Sequence, residues 1–102
     1  MSRTHWHIGV GHIRGGALLG FIPDAIPEAF TSEAWARACV KSEVHRIQSN
    51  ERRAGNEAHV AKLENRTTIS WVDQFGENRG AVFEISECHL QHSSEEAGAF
   101  RV

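Results

Sequence analysis

The chain has 102 residues, 40% of them hydrophobic and 24% charged, a length and balance that fit one globular domain and exclude a disordered segment. Its 11 basic and 13 acidic side chains leave a net charge of −2, which argues against nucleic acid as a partner. The opening residues carry no apolar signal stretch, and no run approaches the roughly 18 apolar residues of a membrane span. The expectation is a cytoplasmic protein, without membrane contact, whose two thiols, Cys39 and Cys88, stay reduced.

Residues 4–10 alternate, with Trp6, Ile8 and Val10 on one face and His5, His7 and Gly9 on the other, which predicts a half-buried strand. Residues 11–30 are rich in glycine and then carry Pro23 and Pro27, so they read as a loop in which no internal repeat stands out. Thr31-Ser32 followed by Glu33 is a helix start. Ala36, Val40, Val44 and Ile47 then form one stripe beside Trp35 and Cys39, with Arg37, Lys41 and His45 on the far side. Ala54, Ala58 and Ala61 continue a weaker helical spacing across Gly55-Asn56, so residues 32–64 read as helices joined by a hairpin. Residues 66–88 read as a β-hairpin, closing on the alternation of Ala81, Phe83 and Ile85. A tail, 89–102, carries a capping-box pattern at Ser93-Ser94-Glu95-Glu96. The order predicts an α+β domain: a small antiparallel sheet of about three strands with one or two helices packed on one face.

No catalytic constellation is complete. Gly9-Val10-Gly11 opens like a dinucleotide-binding turn, but Arg14 stands where the third glycine belongs and no helix start follows. Cys39 sits beside an apolar stripe with no base at hand, which suits a small core residue rather than a nucleophile. Arg46, Arg52 and Arg53 are interleaved with Glu43, Glu51 and Glu57, a solvated mixed face rather than a phosphate track. The expectation is therefore no enzyme and no cofactor.

Two binding readings remain. Phe75 falls at the tip of the closing hairpin, and Phe21 and Ile22 precede Pro23; an aromatic on a tight loop makes a contact anchor. Trp6, Trp35 and Trp71 read as core, with Trp71, near the same tip, also counted as partner-facing. The alternative is zinc. His5 and His7 leave one strand face together, and Cys88 and His92 follow the last strand; if the two ends were adjacent, four donors would suit a tetrahedral ion, although no C-x-x-C pair is present. A homodimer sharing its sheet across residues 81–88 is a third arrangement, and a nucleic-acid-binding accessory protein, using the local basic residues Lys41, Arg46, Arg52, Arg53 and Arg66 against the negative net charge, is a further alternative.

The layout resembles small proteins of bacteriophages that infect actinobacteria. The residues that carry the resemblance are His7-Ile8-Gly9-Val10-Gly11-His12, Ile22-Pro23-Asp24, Thr31-Ser32-Glu33-Ala34-Trp35 and Ala81 to Cys88. Arg14-Gly15-Gly16 and the longer segment after it depart from that group's usual short turn. The resemblance carries no activity and no site residue. It implies a context: a phage accessory protein that binds, and so inhibits or redirects, a host protein.

Overall fold

The structure, a computed structural model, describes residues 4–89. Strand β1 (His5–Arg14) turns through Gly15-Gly16 into β2 (Ala17–Phe30). Both glycines have positive φ, 60° and 81°, the pairing that a tight two-residue hairpin turn requires. Helix α1 (Glu33–Arg53) follows, and then β3 (His59–Leu63), β4 (Arg66–Val72) and β5 (Asn78–Cys88) run as an antiparallel meander. All five strands form one antiparallel sheet in the order β2-β1-β5-β4-β3. The amino-terminal hairpin and the meander meet along β1 and β5, paired from His5–Cys88 to Arg14–Arg79.

The α+β class stands, but the expected sheet of about three strands is corrected to five, with a single helix among the described residues. Two stretches account for the difference. Residues 11–30 are not a loop: they hold the second half of β1 and all of β2. Residues 54–64 are not helical: α1 stops at Arg53, and the chain returns as β3.

Strand β2 has an unusual pitch. Ile8 pairs with Ile26 and Trp6 with Phe30, so four residues of β2 advance against two of β1. The same holds between Val10–Ile22 and Ile8–Ile26. The sequence there is a tandem repeat, Ile22-Pro23-Asp24-Ala25 and Ile26-Pro27-Glu28-Ala29. Each unit is one bulge, and each proline sits where the ladder is already interrupted.

Helix α1 begins as its cap demands. Ser32 is extended (φ −138°, ψ 146°), and its hydroxyl oxygen accepts from the Trp35 N–H at 3.1 Å. The expected stripe is the buried one: Ala36, Val40 and Val44 face the sheet. They meet Ile8, Phe30, Ile69, Ala81, Phe83 and Ile85, a core in which Ile8 and Ile69 are completely enclosed. Each buried aliphatic side chain contributes roughly 1.5–3 kcal/mol. Trp6 and Trp71 pack against this core, whereas Trp35 is 69% exposed and lies outside it. Among the described residues the other sheet face carries no helix. Its covering is local: a Cβ at Gly9 would lie 2.5 Å from the Phe21 ring, and one at Gly11 would touch Phe21 and Leu18, so these side chains fold back over the two glycines.

Candidate metal centre

The opening stretch resolves into a strand and a hairpin turn, and its histidines divide by parity. His12 is paired with Ala81 on the helix side and is exposed. His5 and His7 project from the open face, where His5 lies opposite Cys88 and His7 opposite Ser86. The three donor atoms of His5, His7 and Cys88 lie within 4.8 Å of one another. His5 is buried, and His7 and Cys88 are half-buried.

The two imidazoles meet edge to face, with centroids 4.7 Å apart and planes at 84°. Their Nε2 atoms are 2.9 Å apart, so one ring donates an Nε2–H and the other accepts it. Around tetrahedral zinc, with bonds of about 2.0–2.1 Å to nitrogen and 2.3 Å to sulfur, donor atoms sit roughly 3.3–3.6 Å apart. The pair of imidazoles therefore needs a few tenths of an ångström of opening. The sulfur, within 4.8 Å of both nitrogens, needs at most about 1 Å of approach. Loading an ion also displaces the shared proton, since both nitrogens must then present lone pairs.

Neighbouring polar groups are engaged elsewhere. His89 lies between the Thr4 hydroxyl (3.2 Å) and the Glu87 carboxylate (3.0 Å). Among the described residues no carboxylate joins His5, His7 and Cys88, so the group offers nitrogen and sulfur only. That donor set suits zinc or another soft ion and lacks the base that metal-assisted hydrolysis uses. Of the four residues expected to converge, three do; His92 lies outside the described residues.

The expected partner-facing residues are spread out. Phe75 sits in the 73–77 turn with 84% of its surface exposed. That turn is built by Asp73, whose Oδ1 accepts from the N–H groups of Phe75 and Glu77, both at 2.9 Å. Ile22 is 54% exposed on β2, Phe21 covers the glycines of β1, and Trp71 is half-buried against the core. The two hairpin tips lie together: the Gly15 N–H donates to the Asn78 carbonyl at 2.8 Å, and Arg14 pairs with Glu77 at 3.4 Å. Strand β5 is paired with β1 through Cys88 but with β4 only as far as Glu84, so residues 81–84 have no edge to share with a second copy.

No helix among the described residues is long and apolar enough to cross a membrane. Comparison with known proteins found no family model, no curated protein and no solved structure that matches the chain.

Proposed function

We propose that the protein is a non-enzymatic binding module whose sheet is stapled by one zinc ion held by His5, His7 and Cys88. The observation that carries this reading is the gathering of two imidazoles and a thiol from the first and last strands within 4.8 Å. The fold supports it too. One helix covers one face of the sheet, so the core is thin, and a small domain with a thin core gains from a metal tie. The ion would join β1 to β5 at the end of the ladder where His5 faces Cys88.

The test is zinc content of tag-free protein, cobalt(II) substitution, and melting before and after chelation. Near one equivalent of zinc, a thiolate-to-cobalt charge-transfer band and a fall in Tm on chelation are expected. Cys88→Ser should abolish the band, and His7→Ala should weaken metal binding by roughly 10-fold or more. Less than a tenth of an equivalent, with no cobalt band, rejects the reading.

A second reading is favoured by Phe75, 84% exposed where the two hairpin tips lie together, with the exposed Leu18, Leu19, Ile22 and Val72 elsewhere on the two hairpins. An exposed aromatic at a turn suits a protein partner. The layout resemblance makes a host protein the first to test, as the target of a phage inhibitor. Phe75→Ala is exposed and should leave the fold intact while weakening capture of that protein; unchanged capture rejects it.

A further inference from the structure

Helix α1 packs over β1, β2, β4 and β5 and leaves the β3 side of the sheet open. A groove of about 590 Å³ runs there between the helix and the edge strand. Its floor is Val40, Val44, Val60 and Ile85. Its rim is cationic: Arg37 and Lys41 from α1, with His45 beside them, face Lys62 from β3, the charge coming from the arginine and the lysines, and no Asp or Glu lines it. Arg37 is engaged by Glu33 (2.6 Å) and by Asn65 (2.8 Å). Lys41 and Lys62 have no acidic partner among the described residues.

The groove is held open from both ends. Arg37 donates to the Asn65 side chain at the β3–β4 turn, and the Gln48 amide donates to the Ala58 carbonyl (3.3 Å) just before β3. The helix is thereby fixed above an edge strand that pairs with β4 alone. All five residues of β3 are exposed, and its outer edge has no partner strand among the described residues. Alternate residues of such an edge turn their N–H and C=O groups outward, ready for another strand.

We propose that β3 and this groove bind an extended acidic peptide segment of a protein partner, which adds to the sheet as a strand beside β3. Every second side chain of that segment, the acidic set, would turn to the helix side, lay its methylenes over Val40, Val44 and Val60, and set its carboxylates against Lys41 and Lys62. Main-chain bonds supply the register, and the pocket supplies the selectivity. A second copy of this chain is the poorer occupant, because it would set two cationic rims against each other. The proposal is independent of the metal centre, which lies on the opposite face of the sheet.

The probe is the fluorescein-labelled heptapeptide Glu-Val-Glu-Ile-Glu-Val-Glu, titrated by anisotropy and by amide NMR of the full chain. Saturable binding is expected, with shifts and slowed exchange in residues 59–63 and shifts at Val40 and Val44. Replacing each Glu of the peptide by Lys should abolish binding. The exposed double variant Lys41→Glu/Lys62→Glu should weaken the acidic peptide roughly 10-fold and favour the Lys peptide. N-methylation of alternate peptide amides keeps side chains and charge but removes strand pairing, and should abolish binding. The proposal is overturned by no saturation below about 1 mM, by an N-methylated peptide that binds within twofold of the parent, or by indifference to charge reversal. Dimers of the chain that the peptide fails to dissociate would give the edge to a second copy and equally overturn it.

Discussion

Gly80→Ala places one methyl group where the sheet has no room. The new Cβ would lie 2.2 Å from the Ile69 carbonyl oxygen and 3.0 Å from the Ser70 Cα. Both atoms are backbone, so no rotamer relieves the contact. β4 must move away by about 0.8 Å to restore even a 3.0 Å separation. That shift acts at the Ser70–Gly80 and Ile69–Ala81 pairs and drags Ile69, which is completely enclosed, out of its seat. Overpacking of this kind costs about 3 kcal/mol, and Ala recovers roughly 0.5–1 kcal/mol through the unfolded chain. The net loss is about 2 kcal/mol, a fall in Tm of roughly 10–15 °C for a domain of this size. Gly9→Ala is the internal comparison. Its nearest obstacle is the tip of the Phe21 ring at 2.5 Å, which can swing away, with Pro23 backbone behind it at 3.0 Å. Its loss should be about half as large. Thermal melts by circular dichroism, with hydrogen exchange at β4 and β5 amides, measure both. A Gly80→Ala protein that melts within 3 °C of the parent (roughly 0.5 kcal/mol), or that loses less than Gly9→Ala, would refute the steric argument.

Ile69→Ala empties one of the two completely enclosed seats beneath α1 and should cost about 3–4 kcal/mol in chemical denaturation, with an unchanged denaturant slope. Ser32→Ala removes the cap on the Trp35 N–H and should cost about 1 kcal/mol, read as earlier fraying of the first turn in hydrogen exchange. Asp73 gives a pH signature. The Glu77 N–H holds its carboxyl below the usual range, partial burial opposes this, and the Phe75 N–H and the Arg79 guanidinium add to the lowering. A carboxylate whose folded pKa is depressed contributes stability above its unfolded pKa, near 4, and loses it as the pH falls through the folded value. Wild type should therefore melt above Asp73→Asn at pH 6, with the gap closing in acid; a gap that ignores pH would exclude the turn as its source.

The legible parts of the sequence were those with a clean period. Ala36, Val40 and Val44 announce the buried side of α1, and Trp6, Ile8 and Val10 the core side of β1. The same alternation put His5 and His7 on one face, and a guess that the chain ends are neighbours added Cys88. β2 was hidden because its bulges replace a period of two by a period of four, although the repeated Ile-Pro-acid-Ala unit was there to be read. β3 was hidden for the opposite reason. An edge strand exposed on every residue has no apolar alternation, and Ala54, Ala58 and Ala61 happen to fall at helical spacing. The groove was half visible: Arg37, Lys41 and His45 form a clear stripe, but Lys62 joins it only once β3 exists.

The two borders of the sheet differ in what they permit. Along β2, Pro23 and Pro27 lack an N–H to offer, and the bulges set neighbouring groups out of step, so a flat strand finds no continuous template there. Along β3, among the described residues, the template is intact. In the proposed mode one strand would be received along β3 and none passed on from β2, so association through β3 would end at a pair rather than grow into a fibre, which needs two competent borders on every unit.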